Sequence, residues 1–478
     1  ETTLGVETSR QYTVRDGNTT YQISAVTPGA PWDAPDNLIT ETQTVGGSGE
    51  FRDRVAFRLT PDGQMTLSTY ERDQSDGSLT VITETGVPDV DYLTVVDGVR
   101  QTIVRDALGE LISQTSVDIA TDTTISSEVV LASDVSGKPS ILGYADGTTV
   151  QRTYTELDCG CGPAKLKSEI DQRGIETTYT YDQLGRRTSV TRLGVTEEYV
   201  HDASGRVVQR KRIAGGTTQI IEETDYDLAG RTTERRALGA NTDGSLIPKS
   251  TTYSVAAEGG RVLTSTYANG GTEVRTAYRD GSIEQVSGTA VNAMRYEKRV
   301  EGDALVTRAI LVDDGSDTLE WVETWDVMGR TEKTVYPDGA QSLQFYDSAG
   351  RLEKTVDPDG VVNLYAYNSK GERYQTAVDV NQNDEIDDIA NTADRVSERA
   401  TFFTTRTYEG ETYAVYRSES FQWTESGRVS VSISDRTPDG KHVWNERFGS
   451  IAYTFTEDAN TTDGDWKVTS VAPDGSYN

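Results

Sequence analysis

The chain has few basic residues for its 478-residue length, and it lacks long apolar runs. No apolar run approaches the roughly 18–20 residues that a membrane-spanning helix needs, so we expect no transmembrane segment. Lysine and arginine total 46 against 77 aspartates and glutamates, a formal net charge of −31. This charge argues against nucleic acid as a partner and against binding to an anionic membrane surface, and it suits an extracellular protein.

Histidine and cysteine are nearly absent, with two of each. His201 occupies the aromatic position of a repeat described below, so we expect it to pack, and His442 follows a P-D-G-K turn, where we expect it to be exposed. Neither lies near a nucleophile elbow or in an H-E-x-x-H sequence. Chance carboxylate pairs are unavoidable among 77 acids, so their presence is no argument for a glycosidase. We therefore predict that the chain is not an enzyme.

Leucine, methionine and alanine form no helical pattern, whereas glycine (44 residues), threonine and tyrosine are abundant. Glycine is typical of turns, and threonine and tyrosine are typical of strands. The composition therefore predicts an all-β chain with many turns.

A six-residue motif recurs in the middle of the chain, consisting of an aromatic residue, Asp, two variable residues, Gly and Arg. Four copies are regular, at residues 181–186, 226–231, 325–330 and 346–351. Residues 201–206 (H-D-A-S-G-R) are a variant copy, and residues 367–372 (Y-N-S-K-G-E) are a degenerate copy. The copies that begin at Trp325, Tyr346 and Tyr367 are 21 residues apart. A fixed period of this size indicates a repeat architecture in which each unit packs on its neighbours.

Each repeat predicts two short strands joined by tight turns. In the motif, Asp can accept hydrogen bonds from backbone amides two residues on, and Gly supplies the positive φ that a tight turn needs. A second turn, D-P-D-G, follows at residues 357–360, where Pro presets the bend. Strands of about six residues between such turns leave no room for a helix.

We predict a structural role for the residues at the motif positions of these copies. They are Tyr181, Asp182, Gly185, Arg186, His201, Asp202, Gly205, Arg206, Tyr226, Asp227, Gly230, Arg231, Trp325, Asp326, Gly329, Arg330, Tyr346, Asp347, Gly350, Arg351, Tyr367 and Gly371. An Arg just after the turn can lie over the Tyr or Trp of an adjacent repeat, while the Asp pairs with the same guanidinium. The alternative is that Tyr, Asp and Arg are ordinary turn residues, each solvated.

The motif resembles the YD repeat, also called the RHS repeat, of bacterial RHS proteins, insecticidal toxin-complex components and animal teneurins. The resemblance covers about residues 144–373. It implies a YD-repeat β-solenoid: a spiralling antiparallel sheet of short strands and β-turns, often wound into a hollow shell or barrel, with no catalytic residues in the repeats. Toxin-carrying members also have a D-P-x-G-L core segment and an aspartyl self-cleavage site after the repeats, and this sequence has neither.

We expect four regions along the chain. Residues 1–140 read as degenerate β-repeats, and residues 141–378 as the YD-repeat β-solenoid. Residues 379–400 form an acidic insertion, and residues 401–478 return to degenerate β-repeats.

The acidic insertion has the ligand spacing of a calcium loop. Positions 1, 3, 5, 7 and 9 of an EF-hand-like loop fall on Asp379, Asn381, Asn383, the carbonyl of Glu385, and Asp387. Position 6 is Asp384 rather than Gly, and position 12 is Ala390 rather than a bidentate acid. Asp388 or Asp394 is the candidate for the missing carboxylate. Ca²⁺ is the only cofactor that we expect, and the alternative is a solvated acidic insertion.

The two cysteines, Cys159 and Cys161, stand in a D-C-G-C-G-P segment, which looks like insertions in some environmental bacterial RHS proteins. C-x-C spacing is too short for a relaxed disulfide, and a metal site would need further ligands. A strained local disulfide in an oxidising compartment, free thiols, and metal or interchain links all stay open.

The chain begins with Glu and ends on a repeat-like turn, so we expect a processed part of a longer secreted precursor, located outside the cell or on its surface. Three functions follow as expectations. The first is a non-catalytic structural or adhesive scaffold in a fibre or filament. The second is a repeat shell around a polymorphic toxin whose payload lies on a missing C-terminal part. The third is a carbohydrate-binding surface module. The expected partners are other copies of the chain, the rest of its precursor, and surface glycans.

Overall fold

The computed structural model describes residues 2–3, 6–7, 9–145, 147–155, 164–238, 245–256, 259–302, 304–313, 316–387, 394–424, 427–438, 440–458 and 466–472. These residues contain strands, turns and bends, and no helix, so the prediction of an all-β chain is confirmed.

The described residues form 38 strands. In order they are β1 Thr2–Thr3, β2 Val6–Glu7, β3 Gln11–Asp16, β4 Thr19–Ser24, β5 Leu38–Thr44, β6 Val55–Leu59, β7 Met65–Arg72, β8 Leu79–Pro88, β9 Val95–Arg105, β10 Leu111–Asp118, β11 Thr123–Ser133, β12 Pro139–Tyr144, β13 Thr149–Thr155, β14 Lys165–Ile170, β15 Glu176–Tyr181, β16 Arg187–Arg192, β17 Val195–His201, β18 Val207–Ala214, β19 Thr217–Tyr226, β20 Thr232–Leu238, β21 Leu246–Val255, β22 Arg261–Tyr267, β23 Thr272–Ala277, β24 Ile283–Ser287, β25 Ala293–Glu301, β26 Ala304–Asp313, β27 Ser316–Trp325, β28 Thr331–Val335, β29 Gln341–Tyr346, β30 Leu352–Val356, β31 Val362–Tyr367, β32 Arg373–Asp379, β33 Arg395–Tyr408, β34 Glu411–Thr424, β35 Gly427–Arg436, β36 His442–Arg447, β37 Ser450–Asp458 and β38 Trp466–Val471.

One antiparallel sheet contains every strand from β3 to β38, and each strand in it pairs with the next one along the chain. The short β1–β2 hairpin is separate. Within the described residues, β3 pairs only with β4, and β38 pairs only with β37. The sheet is therefore an open ribbon, and its strands cross back and forth between two long edges. The predicted spiralling antiparallel sheet of short strands and turns is confirmed in this form.

A five-residue turn closes many of the hairpins. In the copy that begins at Asp182, the Asp182 N–H donates to the carbonyl of Arg186, and the Gly185 N–H donates to the carbonyl of Asp182, both at 2.9 Å. Gly185 has a φ of +76°. The strand register shifts by one residue beside the turn, so that Tyr181 pairs with Arg187. This is a type I turn followed by a glycine bulge, the usual geometry of a three-residue hairpin loop.

The ribbon forms a wall that is largely one sheet thick. The accessible surface is 28032 Å², whereas a compact globular chain of 52.3 kDa would expose about 17,500 Å². The buried apolar clusters are correspondingly small. One consists of Leu364, Ala377 and Val396, and the other of Val415, Trp444 and Tyr453. Most side chains on both faces of the sheet therefore remain within reach of solvent.

The ribbon coils until one of its edges meets the other. The Gln64 side-chain amide, next to the β6–β7 turn, donates to the carbonyl of Lys370 in the β31–β32 turn at 3.4 Å. The Lys370 ammonium lies 2.8 Å from the carboxylate of Asp97 in β9. We call these contacts the seam. It joins turns that are about 25 strands apart (31 minus 6), so one coil has a circumference of roughly 120 Å and a width of roughly 40 Å at ~4.8 Å per strand.

Candidate functional site

The repeat motifs lie along one edge of the ribbon. Because every strand pairs with the next, the turns that follow odd-numbered strands share one edge, and all six motif copies are such turns. We call this the motif edge. The loop at residues 380–394, between β32 and β33, and the D-P-D-G turn at residues 357–360 lie on the opposite edge.

Each motif Asp organises its own turn through both carboxylate oxygens. Asp182 Oδ1 accepts from the backbone amides of Leu184 and Arg186 at 3.0 and 2.9 Å, and Oδ2 accepts from Arg186 Nε at 2.6 Å. The Arg186 backbone amide, followed by its guanidinium, outweighs desolvation and lowers the pKa of Asp182. The same contacts recur at Asp202, Asp227, Asp326 and Asp347.

Three motif arginines, Arg186, Arg206 and Arg330, also donate to the next turn along the edge. Arg186 Nη1 donates to the carbonyl of Asp202 at 2.9 Å, and Arg206 Nη1 donates to the carbonyl of Asp227 at 3.1 Å. Arg186 packs against Gly205, where a Cβ would lie 3.8 Å from its Cδ. At that distance a Cβ would make only ordinary van der Waals contact, so the position needs glycine for its positive φ of +85° rather than for space.

The predicted stacking of Arg on the aromatic residue of the next repeat is present in the structure. The guanidinium carbon lies 4.1–4.6 Å from the ring centre in the pairs Arg206–Tyr226, Arg330–Tyr346 and Arg351–Tyr367, and Arg231 lies in the same way over Tyr253, which is outside the predicted copies. The tyrosine hydroxyls donate to the carbonyl of the residue after that Arg, as in Tyr226 to Val207 at 3.1 Å. In these pairs the Arg and Tyr are therefore bound to each other's repeats, and the alternative of separately solvated turn residues does not describe them.

The sequence-based reading missed several copies of this turn. Residues 134–138 (D-V-S-G-K) form it with Lys138 in place of Arg, and the Lys138 ammonium lies 5.4 Å from the Tyr154 ring centre. Residues 171–175 form it with Ile175 in the Arg position, and Arg192 from β16 supplies the guanidinium 2.5 Å from Asp171. A search for D-x-x-G without the flanking aromatic residue and Arg would have found both.

The loop with calcium spacing brings most of its predicted ligands together. Asp379 accepts from the backbone amides of Asn383 and Asp384, at 3.2 and 2.9 Å. Asp387 accepts from the side-chain amides of Asn381 and Asn383, at 2.6 and 3.2 Å. Asp384, which replaces the usual glycine, has a φ of +62° and so adopts the glycine conformation.

Asp394 closes this loop, and Ile386 anchors it. Asp394 accepts from the amides of Val380 and Asp387 and, like Asp379, is buried. Ile386 packs on the cluster of Leu364, Ala377 and Val396. Glu385 is exposed. Ala390 and Asp388 lie outside the described residues. Among the residues that are described, no three His, Cys, Asp or Glu side chains form a group that could hold a metal ion.

The remaining candidates from the sequence are the histidines and cysteines. His201 ends β17 and is half-buried. The expectation that His442 is exposed was wrong. Its ring is half-buried, 5.7 Å from the parallel Trp444 ring, and its Nδ1 is 2.6 Å from the Tyr453 hydroxyl. It packs there because the inward-facing side chains of β34, β36 and β37 are aromatic. Cys159 and Cys161 lie outside the described residues.

One face of the sheet carries a cleft of about 750 Å³ that sequence reasoning did not find. Tyr296 in β25, Ala309 in β26 and Trp321 in β27 are directly opposite one another, so they share a face. Tyr278 and Tyr336 complete the aromatic lining. We call the space between these four rings, with Ala309 at its floor, the four-ring slot. No sequence signal marks it, because none of its lining rings occupies a motif position.

No helix in the described part of the chain is long and apolar enough to cross a membrane.

No protein-family model matches this chain, and no curated protein matches it. Among solved structures, it is similar to a chain in the crystal structure of TcdB2–TccC3–Cdc42, with 10% identity and a TM-score of 0.23 over 95% of this chain and 32% of that one. TcdB2–TccC3 without its hypervariable C-terminal region gives 8% identity and a TM-score of 0.24 over 96% and 34%. A porin-like protein from Bacteroides uniformis gives 10% identity and a TM-score of 0.10 over 78% and 98%. The chain thus spans about a third of the length of the first two.

Proposed function

We propose that the chain is a non-catalytic structural scaffold, secreted or displayed at the cell surface, in which a coiled β-sheet forms a wall. The contact between Asp97 and Lys370 carries this proposal, because it joins two edges of the ribbon that are 273 residues apart in sequence (370 minus 97). A ribbon that meets itself in this way surrounds a space. The large exposed area supports the same reading, since a filled core would bury far more of the chain.

The closed coil favours an enclosing shell over the fibre that the sequence also suggested. In a fibre, copies of the chain would join end to end. A contact between two edges of the same ribbon would not help to lengthen such a fibre. In a shell the same contact seals the wall. The expected partners are then the content of the shell, such as a toxin payload on a further part of the precursor, and the rest of that precursor.

Electron microscopy combined with small-angle X-ray scattering of the whole purified chain tests the proposal. We expect discrete hollow particles with a wall-to-wall width of roughly 40 Å. Filaments that lengthen with protein concentration would support the fibre instead. A thin extended ribbon, or a solid particle, would contradict the enclosing shell.

We also propose that the loop at residues 379–394 binds Ca²⁺. Asp379, Asn381, Asn383, Asp387 and Asp394 are linked by hydrogen bonds within one loop, and a hard cation with oxygen ligands would replace the amide donors that now satisfy these carboxylates. Asp384 at positive φ gives the sharp bend that such loops need at position 6.

Calorimetric titration of the chelator-treated chain with CaCl₂ tests this site. We expect heat of binding and a higher melting temperature, both lost in Asp379→Asn. Asp359→Asn, in the exposed D-P-D-G turn, is the matched control and should bind as the native chain does. An absence of calcium-dependent heat and melting shift in the native chain would leave the loop as a solvated acidic insertion.

A further inference from the structure

The four-ring slot has the dimensions of a site for a ring-shaped ligand. Tyr296 and Trp321 are separated by the strand that carries Ala309, so their backbones are two strand spacings apart, roughly 9–10 Å. Ala309 has only a methyl group, so the floor between the two aromatic residues stays low. Subtracting half the thickness of each flanking ring from this backbone spacing leaves a gap of about 6 Å between the two rings. This gap matches the thickness of one saturated six-membered ring.

The four rings stand apart from one another. Among the described residues, none of Tyr278, Tyr296, Trp321 and Tyr336 makes a ring–ring contact with another, although aromatic contacts are common elsewhere in the chain. The Tyr278 hydroxyl donates to the backbone carbonyl of Tyr296 at 2.9 Å, which fixes the position of that hydroxyl beside β25. The slot is therefore lined with aromatic surface that no neighbouring aromatic side chain covers.

Polar groups lie next to this aromatic surface on the same face. Lys298, Thr307 and Glu323 are opposite one another in the neighbouring row of the sheet and also line the cleft. Trp325 Nε1 donates to the Thr307 hydroxyl at 3.0 Å, which fixes it, and that hydroxyl lies 3.4 Å from Glu323 Oε2. Among the contacts of the described residues, Glu323 Oε1 has no hydrogen bond, so it can accept from a ligand.

Taken together, aromatic walls and a fixed row of polar groups suit a ligand with apolar faces and a polar edge. A pyranose sugar has this form, because its ring C–H groups form the faces and its hydroxyl groups project from the rim. The faces can pack on the rings of Tyr296 and Trp321, and the hydroxyls can donate to the Glu323 carboxylate.

We propose that the four-ring slot binds one pyranose unit of a neutral glycan. The proposal gives the carbohydrate-binding expectation a location, and it is independent of whether the wall forms a shell or a fibre. A quaternary ammonium group is the competing ligand for an aromatic cage. The cleft is lined by Lys298 and Arg308 as well as by Glu297 and Glu323, so it has no net negative charge to hold a cation, whereas Lys298 and Glu323 can both form hydrogen bonds with sugar hydroxyls.

The test uses the whole chain, three neutral tetrasaccharides (cellotetraose, chitotetraose and mannotetraose) and choline chloride. Binding is measured by isothermal titration calorimetry and by tryptophan fluorescence. We expect at least one tetrasaccharide to bind. Ala309→Leu, which fills the floor, and Trp321→Ala, which removes a wall, should each weaken that binding by about tenfold or more. Trp32→Ala is the matched control, since Trp32 is 54% exposed and lies in a loop far from the slot in sequence, and it should bind as the native chain does.

Each outcome decides the proposal. Circular dichroism of both slot variants must match the native chain, and Ala309→Leu retains every native ring, so a loss of binding in that variant reports on the space of the slot. The proposal is overturned if no tetrasaccharide binds at concentrations up to about 10 mM, if both slot variants bind like the native chain, or if choline binds and the sugars do not. Hollow particles in electron microscopy without sugar binding would leave the scaffold standing and remove the glycan site.

Discussion

Arg330 of one repeat lies over the ring of Tyr346 in the next, with the guanidinium carbon 4.1 Å from the ring centre. The same guanidinium lies 2.7 Å from Asp326 within its own turn and donates to the carbonyl of Gly350 at 3.2 Å. One side chain therefore joins two consecutive turns of the motif edge. The contact depends on the pairing of strands rather than on a fixed number of residues, because it also forms between the copies that begin at His201 and Tyr226, which are 25 residues apart (226 minus 201).

Arg330→Ala should destabilise the sheet, because it removes a cation–π contact and several charge-assisted hydrogen bonds at a site where Arg330 and Asp326 are 20% and 8% exposed. We expect a loss of about 2 kcal/mol in the free energy of unfolding, measured by urea denaturation. Arg231→Ala is the matched control. Arg231 has the same partners within its turn but is 54% exposed, so its loss should be smaller. Equal losses for the two variants would contradict this account of the motif edge.

Gly98→Ala should strongly destabilise the fold, because Gly98 in β9 pairs directly with Gly86 in β8. Gly98 has a φ of +154°, and a Cβ there would lie 2.1 Å from the carbonyl oxygen of Thr85, a backbone atom that cannot rotate away. We expect the free energy of unfolding to fall by about 3 kcal/mol or more. Gly63→Ala is the control. Its φ is +82° with nothing within 4 Å, so only the backbone strain of about 1–2 kcal/mol applies. Thermal melting of both variants measures the difference, and similar melting temperatures would show that the backbones can separate at β8–β9.

Lys370→Met should open the seam. Burial alone lowers the pKa of Lys370, but the hydrogen bond and charge of Asp97 outweigh it, so that the pKa is raised. A raised pKa means that the contact contributes fully below the ordinary lysine value of about 10.4 and is lost as the pH rises above it. We therefore expect the radius of gyration in small-angle scattering to increase in alkaline solution in the native chain, and to be increased already at neutral pH in the variant.

Lys354→Met is the control for the seam. Its ammonium lies 2.9 Å from Asp384, a Lys–Asp pair of the same kind that does not cross the seam. It should leave the particle size unchanged. If Lys354→Met and Lys370→Met expand the particle equally, the Asp97 contact does not hold the coil closed.

Asp435→Asn should unfold the C-terminal strands locally. Asp435 is fully buried between Arg406 and Arg417, with oxygen–nitrogen distances of 2.6–2.8 Å. Burial alone raises its pKa, but the hydrogen bonds from Arg417 and Arg406 outweigh it, so that the pKa is lowered. The stabilisation is therefore complete above the ordinary value of about 3.9 and is lost as the pH falls through the lowered value.

Asp435→Asn leaves two partly buried guanidinium groups without their shared anion. We therefore expect the free energy of unfolding to fall by about 3 kcal/mol at neutral pH. Hydrogen exchange in β33 to β36 is the measurement. Asp122→Asn serves as control, because Asp122 is 87% exposed and 3.9 Å from Arg100. Unchanged exchange in β33 to β36 would mean that the two arginines find other partners.

The local features of the fold could be predicted from the sequence because they are encoded within a few residues. D-x-x-G-R specifies its own turn, since the Asp oxygens, the glycine φ and the Arg side chain all act within five residues. The stacking of Arg206 on Tyr226 could be predicted as well, because motif turns that follow alternate strands of one sheet lie side by side on the same edge.

The seam, the four-ring slot and the position of His442 could not be predicted in this way. Asp97 meets Lys370 only because the curvature of 22 strands (31 minus 9) adds up to a closed coil, and no short stretch of sequence contains that curvature. Trp321 and Tyr296 share a cleft because of strand register, which a one-residue slip would reverse. His442 follows a turn that suggests exposure, yet the aromatic side chains of its neighbouring strands surround it.

The seam also constrains how such a chain can change in length. Inserting one 21-residue repeat between β9 and β31 would add two strands, about 10 Å of perimeter, and Asp97 would then face a different hairpin from the one that carries Lys370. A gain or loss of repeats would therefore require a new partner for Asp97 or Lys370 on the edge of the ribbon that each one faces. In the proposed shell, the number of hairpins in one coil would therefore set the enclosed volume.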